Sequence, residues 1–170
     1  ESGFFFKPLI SYYDETNMNL KVAYCYAAAC DTGATISTLD SVGDVGRYTS
    51  VAFHPNGRAL IAYYDETNQN LKVAYCDNAQ CSGWTISTLD WNGLTGKYTS
   101  VAFHPTSGWA LISYYDNTNK DLKAAYCDDV ACTGATITTV DATGWVGQFT
   151  SVVIHPTSGR ALISYMDYNN

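Results

Sequence analysis

The chain has 170 residues, nine Lys or Arg against sixteen Asp or Glu, and a formal charge of −7. Apolar residues make up 46% and charged residues 15%, which excludes an intrinsically disordered chain, since disorder requires low hydrophobicity and high charge density. The acidic balance argues against nucleic acid and anionic membranes, which call for clustered Lys and Arg; no apolar run nears a membrane span, and nothing at the N-terminus reads as a signal peptide.

Residues 1–6 stand outside the pattern that governs everything after them. From Lys7 onward the text repeats: cysteines fall at 25, 76 and 127 and again at 30, 81 and 132, each series stepping by 51. Tyr-Tyr-Asp ends at Asp14, Asp65 and Asp116 and returns as Tyr165-Met166-Asp167, and His-Pro occurs at His54, His104 and His155. One repeat contains four strand-like runs. Thr49–His54 (strand a) stops at the Pro55-Asn56-Gly57 turn, where Pro fixes φ and Gly relieves strain. Ala59–Tyr64 (strand b) is apolar on both faces, as expected of a strand inside a sheet. Leu71–Cys76 (strand c) follows the polar turn Asp65–Asn70, and Thr85–Leu89 (strand d), rich in Thr and Ser, suits an exposed outer edge. β-branched and aromatic residues dominate these runs, and none shows a helical period.

Four strands per 40–50 residues is the size of one β-propeller blade. The expected fold is therefore all-β, made of four-stranded antiparallel blades of the propeller type. The expected units are a partial blade over 7–40 (b, c and d), full blades over 41–90 and 91–141, and a partial blade over 142–170 (a and b). That makes about three and a quarter repeats, too few for this chain alone to close a ring, since propellers typically have four to eight blades.

The segment Val51-Ala52-Phe53-His54-Pro55-Asn56-Gly57, followed by a b–c hairpin, resembles the layout of WD-repeat blades. More closely, the Ser-Tyr-Tyr-Asp…Leu-Lys-Val-Ala text resembles the tandem repeats of about 50 residues found in bacterial secreted propeller-like proteins, similar in spirit to sialidase-type repeats. The resemblance covers nearly the whole chain and implies fold rather than activity. The Gly-His, Trp-Asp and Asp-box signatures of the better-known families are not in the text.

Each Cys-x4-Cys pair, Cys25/Cys30, Cys76/Cys81 and Cys127/Cys132, brackets a c–d turn, which points to three local disulfides and to an oxidising, extracellular compartment, secreted or on a cell surface. The histidines recur once per blade and are expected to stabilise their turns. The acidic and amide-rich b–c turns, such as Asp14–Asn19, have oxygen ligands that would suit Ca²⁺, but their spacing departs from calcium loops, and self-bonded turns account for them. No cofactor is implied. No paired carboxylates stand asymmetrically, no Gly-x-Ser-x-Gly elbow occurs, and the chain does not read as an enzyme.

Gly-x-x-Gly recurs in the d–a loops, which share a face with the b–c turns in a propeller. That face would carry Trp91, Trp145, Tyr48 and Tyr98 near Asp44, a set suited to sugar recognition. The expected function is a non-catalytic extracellular repeat scaffold. It would self-assemble into a fibre, ring or surface structure, or belong to a larger propeller. The alternatives are a carbohydrate- or protein-binding module and the propeller portion of a secreted glycan-active enzyme. Partners would be copies of itself or the rest of a longer chain, with a glycan as a further candidate. Phe4, Phe5 and Phe6 would be an adhesive or covering segment at the incomplete end.

Overall fold

The computed structural model describes residues 7–168, so Phe4, Phe5 and Phe6 lie outside the described residues. The described chain is all-β. Its first sheet holds β1 (Leu9–Asp14), β2 (Asn19–Cys25) and β3 (Ala34–Asp40). The second holds β4 (Val45–Phe53), β5 (Ala59–Asp65), β6 (Asn70–Cys76) and β7 (Trp84–Asp90). The third holds β8 (Thr95–Phe103), β9 (Ala110–Asp116), β10 (Asp121–Cys127) and β11 (Ala135–Asp141); the last holds β12 (Val146–Ile154) and β13 (Ala161–Asp167). Every neighbouring pair is antiparallel and consecutive in sequence, so each sheet is a meander in a–b–c–d order. These are propeller-type blades, and no sheet closes into a barrel.

The inner strand a is longer than its sequence pattern indicates, starting at Val45 rather than Thr49. Its alternation is broken by two register shifts, between Val45 and Arg47 and between Arg47 and Ser50. Tyr48 sits at φ 53°, with Tyr98 and Phe149 at 55° and 52°, an uncommon region for bulky residues. A bulge of this kind flips side chains between faces, which is why period-two reading loses the strand's first half.

The Gly-x-x-Gly motif has a packing reason. A Cβ on Gly96 would lie 2.7 Å from the Cα of Leu71, in strand c of the preceding blade, and Gly46 and Gly147 meet Leu20 and Leu122 in the same way. A Cβ on Gly93 would lie 2.7 Å from Thr118 Oγ1 in the b–c turn of its own blade. The first glycine thus lets the d–a loop seat on its own blade's b–c turn. The second lets strand a approach the neighbouring blade's backbone.

The core lies between blades. Outward residues of the first blade (Leu9, Leu20, Val22, Leu39) pack on inward residues of the second (Ile61, Tyr63, Ala74, Cys76). Leu60, Leu71, Val73 and Leu89 of the second blade then meet Ile112, Tyr114, Ala125 and Cys127 of the third. A central strand must therefore be apolar on both faces, and β5 is buried along its whole length. Inner strands are also stitched together: the amides of Val101 and Val152 donate to Ser50 and Ser100 Oγ at 3.2 and 3.0 Å.

Candidate functional site

The polar centre of each inter-blade seam begins with the last residue of strand d. Asp40 accepts hydrogen bonds from the Tyr63 hydroxyl and the Lys72 ammonium of the next blade, both at 2.7 Å. One seam on, Asp90 accepts from Tyr114 at 2.7 Å and Lys123 at 3.2 Å, and Lys123 also reaches Asp116 at 3.2 Å. Lys72 bridges likewise to Asp65 at 3.6 Å. At the third seam Tyr165 donates to Asp141 at 2.8 Å in an exposed setting.

Burial alone would raise the Asp40 carboxyl, but bonding to Lys72 and Tyr63 outweighs it and holds the group below the ordinary range. Burial and the adjacent carboxylates drive the Tyr63 and Tyr114 hydroxyls far up, so both remain protonated donors. Burial opposes the charge on Lys123, yet Asp90 and Asp116 keep its pKa above the usual value. The arrangement holds blades in register.

This clasp escaped reading from the sequence. Its signal was available: a lysine in the middle of an otherwise apolar strand c, at Lys21, Lys72 and Lys123, needs a buried partner, and each strand d ends in Asp.

The predicted face exists only in part. Its d–a and b–c loops do meet, with the Asp44 and Leu94 amides donating to Thr67 and Thr118 Oγ1 at 2.7 Å. Tyr48, Tyr98 and Phe149 form a ladder with ring centroids 4.6 and 4.4 Å apart. With Thr49, Thr99 and Thr150 they line a shallow cleft of about 300 Å³. Two hydroxyls beside the ladder, those of Tyr64 and Tyr115, are buried and make no hydrogen bond among the described residues. The Tyr64 group is pushed up to about 12 by burial and by Glu66.

Asp44 is engaged elsewhere, accepting from Tyr13 at 2.8 Å and pairing with Arg47 at 2.9 Å. Trp145, which occupies the Asp44 position of its own repeat, packs on Tyr168 and under the Lys120 ammonium. Trp91 is separate again, 70% exposed at the rim of a cleft of about 440 Å³ lined by Leu89, Asp90, Asn92, Lys123, Ala135 and Ile137.

The remaining motifs bond within their own turns. His54, His104 and His155 accept backbone N–H bonds on Nδ1 within their own turns. Asp14, Asp65 and Asp116 accept from the amides and Asn side chains that follow them. No cluster of three or more His, Cys, Asp or Glu suited to a metal occurs among the described residues. Disulfides join Cys25–Cys30, Cys76–Cys81 and Cys127–Cys132, with Cα separations of 5.0, 4.8 and 4.9 Å. Among the described residues no helix is long and apolar enough to cross a membrane. Both facts are consistent with an extracellular protein.

Compared with known proteins, the chain matches no family model and no curated sequence.

Proposed function

We propose that this chain is a non-catalytic, secreted or surface-exposed β-repeat scaffold built by stacking blade on blade, its open faces completed by further blades of the same kind, from a second copy or from a longer chain. One observation carries the reading: residues buried at internal seams are exposed at the ends. Ile10 is 49% exposed where its counterparts Ile61 and Ile112 are buried, and Val140 is 50% exposed where Leu39 and Leu89 are buried. Leu162 is 70% exposed where Leu60 is buried. The two ends therefore present opposite halves of an interface the chain already makes internally, as a heterologous, head-to-tail contact requires. Repeat proteins draw stability from such nearest-neighbour faces.

Light scattering on the oxidised protein across a concentration series tests this. Assemblies larger than one chain are expected, and either Ile10→Glu or Leu162→Glu should shift them toward monomer. A monomer at every concentration would overturn completion by a second copy and leave further blades of a longer chain.

A second reading, a carbohydrate-binding module resembling secreted propeller-like repeats, is favoured by the aromatic ladder with its buried, unbonded tyrosine hydroxyls. Glycan-array binding lost in Tyr98→Ala would support it, and no binding to any glycan would remove it.

A further inference from the structure

The first and second seams differ where strand d opens, and that difference has the shape of an indole. At the first seam, strand β7 of the second blade opens with Trp84. Its indole lies against Leu39 and donates from Nε1 to the Leu39 carbonyl at 2.7 Å. At the second seam, the counterpart of Trp84 is Ala135, the first residue of β11, and Leu89 stands where Leu39 stood. Alanine has neither the volume nor the donor. Leu89 and Ile137 beside it are the repeat counterparts of Leu39 and Ile86, which share a packed cluster with Trp84, and with Asp90 and Lys123 they line the cleft of about 440 Å³. That volume falls within the range of small-molecule sites.

A second change coincides with the first. The residue after strand d is Ser41 at the first seam and Trp91 at the second, where it lines the same cleft and is 70% exposed. The wall tryptophan is lost and a rim tryptophan gained at a single cleft. Its floor is already set, because Asp90 is neutralised by Lys123 and bonded by Tyr114.

We propose that this cleft binds an indole group: the plane enters beside Leu89 and Ile137, the ring N–H donates to the Leu89 carbonyl as Trp84 does to Leu39, and Trp91 closes over it. The source is a free indole-type molecule or a tryptophan side chain carried by a peptide. The proposal is independent of assembly, since the second seam lies inside one chain.

The test is an NMR titration of the ¹⁵N-labelled full chain with indole, N-methylindole and N-acetyltryptophanamide. Indole should saturate in the millimolar range or below, shifting the Leu89 and Ala135 amides and the Trp91 indole signal. N-methylindole, which lacks the donor, should bind roughly fivefold more weakly, the value of one hydrogen bond. N-acetyltryptophanamide binding as well as indole assigns a peptide source, and its exclusion assigns a free molecule. Ala135→Trp, which copies the first seam, should abolish indole binding. Trp84→Ala should open a second, weaker site, with Ser41 in place of Trp91, and raise the stoichiometry from one to two. If Trp84→Ala does not fold, the Ala135→Trp and N-methylindole arms decide alone. Indole binding unchanged by Ala135→Trp, equal affinity for N-methylindole, or no saturable shift of the Leu89 and Ala135 amides would overturn the proposal.

Discussion

Replacing Lys123 with Met separates a buried clasp from a surface ion pair. The ammonium sits 3.2 Å from both Asp90 and Asp116, whose side chains are almost fully buried. Methionine keeps most of the stem but leaves two buried carboxylates facing each other with no cation between them. Removing one partner of a buried pair typically costs 3–5 kcal/mol. Asp90 keeps the Tyr114 hydroxyl and Asp116 keeps its Asn119 bonds, which places the expected loss near the lower bound, about 3 kcal/mol. Against a total stability of roughly 5–15 kcal/mol, that is a large fraction. Lys21 supplies the internal control. It is the same repeat position at the open first blade, where among the described residues it pairs with Asp14, and Lys21→Met should cost clearly less than Lys123→Met. Urea unfolding followed by tyrosine and tryptophan fluorescence measures both. Equal losses in the two variants, or a Lys123→Met loss below about 1 kcal/mol, would refute the account of the seam.

Other predictions concern the same seams. Asp40 and Asp116 are held below the ordinary carboxylate range: burial pushes each up, but bonds from Lys72 and Tyr63, and from Asn119 and Lys123, prevail. A depressed folded pKa contributes stability above the unfolded value near 3.9 and loses it as pH falls through the folded value, so midpoint denaturant concentration should decline below about pH 4. Gly96→Ala forces a Cβ to within 2.7 Å of the Leu71 backbone at φ +105°, and should cost more than about 2 kcal/mol by chemical denaturation, whereas Gly57→Ala meets no atom within 4 Å and pays only for its positive φ. Each disulfide joins cysteines five positions apart, so Cys76→Ser with Cys81→Ser should lose about 2 kcal/mol by the loop-entropy estimate.

The blades were legible because their cause is local. Hydrophobic alternation, His-Pro and Asp-rich turns, and paired cysteines recur every 50 or 51 residues, and each specifies its own strand or turn without reference to distant residues. The first half of strand a was not legible, since Gly46 and the flipped backbone at Tyr48 interrupt alternation for the sake of an approach to another blade. The clasp was hidden for a related reason: Asp40 and Lys72 are 32 residues apart and meet only when blades stack. Of the residues picked for a binding face, Tyr48 and Tyr98 stack together, Asp44 is taken up by Tyr13 and Arg47, Trp145 packs on Tyr168, and Trp91 lines a separate cleft. Repeat text places them in equivalent loops but not beside one another. The difference between Trp84 and Ala135 was visible in the text, yet it gained meaning only once both were seen against the same leucine position.

The most direct test of stacking between copies uses one blocked end per protein. Ile10→Glu disables the first-blade face and Leu162→Glu the last. Each variant alone should sediment as a monomer, and an equimolar mixture should form a dimer containing one of each, joined through the intact tail of one and the intact head of the other. Monomers that stay apart in the mixture, or variants that assemble as well as the unmodified chain, would contradict head-to-tail growth through the blade faces.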